Sequence, residues 1–469
     1  MKLSKKIAVA VAATALLGSA GLVNPASAAT ADNIVAGGAT FPQNLIESCR
    51  ATFAGDTTAN PLGATVNYTG VGSGTGRTNF YNNTYDFAMS DSMWSSGNSG
   101  YRSSFVWMPL ISGAIDVAYR LDNVKPAGTV LKMTPATVAK IFSGQIKTWN
   151  DAAIKADNPV AATPKLSALN GAANFALALK GTKVALTVSL KKSLVTTKTK
   201  NMVITSSPDN GVTNKKVYNA KPKAGKYVLT LPYAVGNQYS ISFNNVAIGT
   251  VSIDATSVVL PATPITVYHR KESSGTTFNF TNFLNKTVPA VWSSAAAEPF
   301  AIPSALGSTP TDGSFVAAQG NDGVANGVMN KDGGIGYAEV SFVNERQVAG
   351  KSINAAKIQN AAGYFLAGSS AGAAKFVSAA AVNSTTGVVT FDYTTMVGDA
   401  YPITAVSYAM ANTSANTNSA NTAAKMLTAQ RFVNYVLDTC APNVAELKGY
   451  AALPANIAAI SKTIAAGIQ

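Results

Sequence analysis

With 469 residues, of which 47% are hydrophobic and 12% charged, the chain has material for two or three buried cores and too much apolar content for a disordered polymer. Its formal charge is +14, from 36 Lys and Arg against 22 Asp and Glu. A single histidine and two cysteines exclude zinc sites built from those side chains, and leave no spare partner for a Ser-His-Asp triad.

In chain order, Lys2, Lys5 and Lys6 precede an apolar run from Ile7 to about Val23 and the small-residue signature Ala26-Ser27-Ala28. This reads as a signal peptide over residues 1–28, with a mature chain starting near Ala29. Losing its three lysines takes the formal charge from +14 to +11. No later apolar run reaches the roughly eighteen residues of a membrane helix. No cysteine near the cleavage point offers a lipid anchor, so the expected location is the periplasm, the cell wall or the exterior, with no lipid anchoring.

Gly37-Gly38-Ala39-Thr40-Phe41-Pro42 leads into a helix-compatible stretch, Gln43 to Phe53, and Pro42 suits a first helical turn. Gly70-Val71-Gly72-Ser73-Gly74-Thr75-Gly76 then precedes Arg77 to Tyr81, and Ser90-Asp91-Ser92 follows. Leu131 to Ile154 reads as helix. Between about Lys165 and Lys226 lie roughly a dozen lysines, including Lys191, Lys192, Lys198, Lys200, Lys215 and Lys216. The same region alternates apolar and polar residues at Val184–Leu190, Lys226–Leu231 and Tyr239–Phe243, the pattern of short strands in a small β-sandwich. Arg270-Lys271-Glu272-Ser273-Ser274-Gly275-Thr276-Thr277 opens a further helix with Phe278, Phe280 and Phe283. Ala411 to Thr422 is a polar tract that reads as a loop, and Ala423 to Leu437 is an amphipathic helix before Cys440. Strands and helices mixed around an all-β segment make the host α/β. Cys49 and Cys440 lie far apart; a disulfide and two separately buried thiols both fit the sequence.

Three Gly/Ser/Thr segments, each placed where a helix begins, share one chemical capacity. A helix N-terminus presents backbone N–H groups and partial positive charge, so several converging on one point bind an oxyanion without a metal. Arg270 adds a full charge and a bidentate fork; it equally fits a salt bridge with Glu272, and the two roles are compatible. Asp91 can cap a turn, which is the commoner use of such a residue. It can also accept a proton from a protonated oxyanion and repel one that has none.

The stretches GGATFPQNL, VNYTGVGSGTGRTNF, YDFAMSDSMW, MTPATVAKIFSGQIKTWNDAAI, HRKESSGTTFNFTNFL, GNDGVANGVMNKDGGIGYAE and AYPITAVSYAM occur in an order that resembles the phosphate-binding proteins of ABC-type phosphate importers. The resemblance implies a two-lobed type II periplasmic-binding-protein fold with a cleft between the lobes. Lobe I would comprise residues 29–111 and 400–469, and lobe II residues 112–163 and 260–399. It also implies phosphate ligands at Thr40, Phe41, Ser73, Asp91, Arg270, Ser274, Gly275 and Thr276, with Glu272 and Gly74 in support, and no cofactor, metal, catalytic residue or nucleic acid. Monomer is the expected state.

Three features depart from the family pattern. Glu272 stands where an aspartate is usual, and Thr75 interrupts a glycine run. The larger departure is an insertion, residues 164–259, expected to be an Ig-like sandwich whose lysines could hold an anionic wall or surface polymer or simply keep the protein soluble. Delivery of phosphate to an ABC transporter permease is the leading expectation. The alternative is an extracellular phosphate scavenger or adhesion protein without a transporter; an esterase finds little support in a chain so poor in histidine.

Overall fold

Parallel strands followed by helices form the two wings of a single curled sheet, and one long buried strand joins them. The computed structural model describes residues 32–93, 104–158, 161–168, 173–180, 183–190, 202–207, 216–220, 226–232, 238–243, 246–256, 258–414 and 422–468. The segment read as a signal peptide lies outside these residues.

The first wing starts with β1 (Ile34–Gly38), α1 (Gln43–Phe53), β2 (Val66–Gly70), α2 (Ser73–Tyr81) and β3 (Phe87–Ser90). β1 pairs in parallel with both β2 and β3. β4 (Phe105–Tyr119) is apolar and almost wholly buried along its 15 residues, as a strand covered on both faces must be. Its first part, from Phe105 to Ala114, pairs antiparallel with the strand Thr404–Asn412, which itself borders β3. Its last part, Ile115 to Tyr119, pairs antiparallel with Gly334–Glu339. That strand runs parallel to Thr266–Arg270, which runs parallel to Phe315–Ala318 and completes the second wing. β4 thus belongs to both halves.

Helices pack where apolar residues recur at helical spacing. α1 buries Leu45, Ile46, Cys49 and Phe53, and the helix Ala423–Tyr435 buries Met426, Ala429, Phe432 and Val433 against the same wing. Cys49 and Cys440 form a disulfide, with Cα atoms 5.5 Å apart, which staples α1 to the C-terminal helices across 391 residues of sequence.

Several expected boundaries are corrected. Leu131–Ile154 is not one helix: it holds the short strand Lys132–Met133, the helix Pro135–Phe142 and the helix Ala152–Asp157. Gly144 turns the chain at φ +75°, and Trp149 gives its N–H to Thr263 O, so the helical period is interrupted by tertiary pairing. The second glycine-rich segment is itself the start of α2, at Ser73 rather than Arg77. Pro42 sits at the N-cap, one residue before the first helical turn. Ala411 and Asn412 end a strand rather than begin a loop, because they pair with β4, while residues 415–421 lie outside the described residues. The helix expected over Ala423–Leu437 runs as α-helix to Tyr435 and then converts to π-helix over Val436–Cys440.

The described residues between 161 and 256 contribute eight strands in two antiparallel sheets, one of five strands and one of three. The alternation seen in sequence is structural: Leu186 and Val188 are buried with Thr187 between them partly exposed, and Tyr227 is buried between exposed Lys226 and Val228. Lys125 and Val259 exchange backbone hydrogen bonds of 3.2 and 2.9 Å where the chain rejoins the main sheet.

Candidate functional site

The carboxyl ends of β1, β2, β3 and Thr266–Arg270 point to one place, the usual location for ligands in sheets of this kind. Each strand gives way there to a loop and, for three of them, to a helix N-terminus: α1, α2 and Gly275–Thr287. The local sequence permits the crowding. Gly38 has φ +133°, and a Cβ on Gly76 would come within 2.3 Å of Gly38 Cα, so α2 can sit directly on the end of β1 only if both residues are glycine.

Arg270 is 2% exposed and organises the second half of the site. Its Nη1 donates to Thr276 Oγ1 at 3.1 Å, and its Nη2 donates to Thr40 Oγ1 at 2.9 Å, so one guanidinium bridges the two halves. Its Nε donates to Glu272 Oε1 at 2.6 Å, and Glu272 also accepts from Gly320 N at 3.2 Å. A buried cation next to a carboxylate keeps its fork geometry while its net field is reduced. Ser274 is the N-cap of the helix Gly275–Thr287, its hydroxyl accepting from Thr277 N at 3.2 Å.

Asp91 organises the first half. Its backbone N–H donates to Ser73 Oγ at 3.2 Å, and its carbonyl accepts from Asn279 Nδ2 at 2.7 Å, a second tie between the halves. It does not cap a turn: the residue is 3% exposed, and Oδ1 is buried with no protein hydrogen-bond partner. Burial pushes the carboxyl up to about 7. The nearby Ser407 hydroxyl and the Arg270 charge pull it back, Glu298 raises it further and Arg77 lowers it. A Cβ on Gly275 would lie 2.6 Å from Ser73 Oγ and 2.7 Å from Asp91 Cβ, so only glycine lets this helix start so close to the carboxylate.

All eight residues singled out from sequence therefore border one buried polar cluster. Thr40, Arg270 and Thr276 are hydrogen-bonded together; Ser73, Asp91 and Gly275 are in contact; Phe41 and Ser274 are their chain neighbours. Phe41 has its carbonyl fixed by Tyr450 OH at 2.7 Å and its ring edge-on to Tyr450. Gly74, expected in support, gives its N–H to Ser273 O at 3.2 Å across the halves.

Sequence reasoning missed the supports of this cluster. Asn321 Nδ2 donates to Thr40 Oγ1 at 3.0 Å, Tyr337 OH accepts from Arg270 N at 3.2 Å, and Asn279 and Ser407 flank Asp91. Among the described residues no group of three or more His, Cys, Asp or Glu side chains is placed to hold a metal ion. None of their helices is long and apolar enough to cross a membrane.

The fold has known relatives. The PBP superfamily domain matches residues 23–254 and 244–439. The chain is 25% identical over 338 residues to the phosphate-binding protein PstS of Haemophilus influenzae, a match covering 72% of this chain and 66% of that one. It is 25% identical over 308 residues to phosphate-binding protein PstS 2 of Mycobacterium tuberculosis, covering 64% and 52%. It thus spans about half to two thirds of the length of these curated relatives. A human phosphate binding apolipoprotein superposes with a TM-score of 0.53 at 19% identity, covering 92% of this chain and 94% of the other. A high affinity periplasmic phosphate-binding protein, PfluDING, solved with phosphate, gives 0.51 at 18% identity, covering 92% and 93%. These two structures share the fold, and with the domain match they lead to one conclusion: the chain belongs to the PBP superfamily.

Proposed function

We propose that this protein is an exported solute-binding protein that captures inorganic phosphate between its two halves and delivers it to an ABC transporter permease. The observation that carries the reading is the buried convergence of Arg270, Thr40, Thr276 and Ser73 with a carboxylate, Asp91, whose Oδ1 has no protein partner. Hydroxyls, helix N-terminal N–H groups and one guanidinium supply donors to the anion's oxygens. Phosphate near neutral pH keeps at least one proton, and Asp91 accepts it; sulfate has none to offer and meets an unpaired negative charge in a dry site. Matching of this kind separates close analogues by factors on the order of 10⁴ to 10⁵. The named relatives are consistent with this ligand.

In this reading Thr40, Phe41, Ser73 and Asp91 belong to a lobe of residues 29–111 and 400–469. Arg270, Ser274, Gly275 and Thr276 belong to a lobe of residues 112–163 and 260–399. Ligands from both lobes link binding to closure. The lysine-rich stretch 164–259 is read as an inserted β-sandwich of Ig-like type. Its two antiparallel sheets, and the pairing of Lys125 with Val259 at its exit, favour a self-contained unit. We assign it to retention of the protein at an anionic wall or surface polymer; loss of polymer binding in moderate salt tests that role.

Calorimetric titration of the ligand-stripped protein tests the central reading. Phosphate is expected to bind with micromolar or tighter affinity, about −8 kcal/mol or better, while sulfate gives no heat. Equal binding of both anions, or of neither, would overturn it.

A further inference from the structure

The motif residues Ser92 and Ser273 have no part in the anion cluster, yet both hydroxyls reach one carboxylate, that of Glu298. Ser92 follows β3 in the first half, whereas Ser273 and Glu298 lie in the second. Arg77, on α2 of the first half, donates to the same carboxylate: Nη2 lies 2.6 Å from Glu298 Oε2 and Nη1 2.6 Å from Oε1. The Arg77 side chain is 3% exposed and that of Glu298 14%. Burial alone would raise the Glu298 carboxyl, but Arg77 and then the two serines hold it below its ordinary range, so it is ionised.

Two links tie this pair to the anion cluster. Glu298 O accepts from Ser274 N, the helix N-cap residue of the site, at 3.3 Å. Arg77 Nη1 also donates to Ser90 Oγ and Ser92 Oγ, both at 2.8 Å, and these serines flank Asp91. An acid so near an anion cluster would repel the ligand unless a cation neutralised it, and that cation comes from the opposite half. The pair therefore has to form whenever the halves meet, and has to break when they part. In a dry interface such a pair has full electrostatic strength; once the cleft opens to water it is worth little.

We propose that Arg77 and Glu298 form a latch across the cleft mouth that sets how fast the anion leaves. They are positioning residues: they hold the halves together and let the cluster residues grip the ligand. The inference rests on the phosphate reading for its kinetic arm alone.

The test is a double-mutant cycle with Glu298→Gln, Arg77→Gln and the pair, each read for phosphate association and dissociation rates and for backbone hydrogen exchange. Glu298→Gln is expected to speed phosphate release about 10- to 100-fold with association within about threefold, and Glu298→Asp to recover part of the loss. The double variant should release phosphate no faster than the worse single variant, because both remove one interaction. The Gly74 N–H, bonded across the halves to Ser273 O, should exchange faster in both single variants with or without phosphate. Unchanged release and exchange, or fully additive effects, would overturn the latch. A wild-type protein that binds no phosphate would sink the functional reading while leaving exchange at Gly74 to decide the latch.

Discussion

Asp91 and Asp116 make an instructive pair. Both are almost completely buried, both carry an Oδ1 with no protein hydrogen-bond partner, and burial pushes both carboxyls up to about 7. Each is also covered by a glycine: a Cβ on Gly275 would fall 2.7 Å from Asp91 Cβ, and one on Gly368 would fall 2.2 Å from Asp116 Oδ1. Their surroundings differ. Asp91 sits where the two halves meet, under the influence of Arg270 and Arg77 and beside three helix N-termini. Asp116 lies in β4 opposite Ala338, where the only counterweight to burial is the Gly368 backbone, and Glu339, pushed up to about 8, is next along the paired strand. A strained carboxylate alone is therefore no sign of a ligand; one facing a cation and free donors across a cleft is.

The largest expected contrast comes from the cation. Arg270→Gln should lower phosphate affinity by a factor of about 10³ or more, roughly 4 kcal/mol, because it removes the one full countercharge and strands Glu272. Asp116→Asn should leave affinity within about threefold. Calorimetry on the two variants checks both, and a comparable loss from Asp116→Asn would erase the distinction.

Stability against pH should separate the two aspartates again. A carboxyl raised in the folded state keeps its proton while the unfolded chain has already released it. Stability is therefore lost as pH climbs from about 4 through about 7, and nothing is contributed below the unfolded value. Asp116→Asn should gain relative to the ligand-free wild type by something on the order of 3 kcal/mol between pH 4 and pH 8, measured by urea unfolding, and Asp91→Asn by less, because Asp91 is covered only where the halves meet. A difference that shrinks as pH rises would contradict the raised carboxyls.

The glycines give a smaller test. Gly368→Ala should destabilise the fold by about 1 to 3 kcal/mol, since its neighbours belong to one packed sheet. Gly275→Ala should leave the ligand-free melting temperature nearly unchanged and weaken phosphate binding about tenfold, because its clash with Ser73 and Asp91 arises only where the halves meet.

These contrasts also mark what the sequence could disclose. The segments that hold Thr40, Ser73, Ser274 and Thr276 were legible because glycine and hydroxyl residues just before a helix have a local meaning, while the individual residues came from the family resemblance; Arg270 was legible because it opens such a segment. Three of the short strands within residues 161–256, at 184–190, 226–231 and 239–243, were legible from alternation. Asp116 was not, since it stands in the apolar run of β4 with nothing local to mark it, and its state comes from burial. Glu298, Asn321, Tyr337 and Ser407 act on the cluster from distant parts of the chain, so no spacing rule could find them. The misread helix at 131–154 has the same origin: the helical period continues in sequence, but the helix ends at Phe142, where Gly144 turns the chain and Trp149 pairs with Thr263.

The account stands or falls on Asp91 as acceptor of the ligand's proton. Competition between phosphate and sulfate, titrated by calorimetry on wild type and on Asp91→Asn, measures that directly. The account predicts that the variant binds phosphate less tightly and sulfate detectably, cutting the phosphate preference by about a hundredfold or more. A variant that keeps the wild-type preference would contradict it and place discrimination in the donors around Arg270 instead.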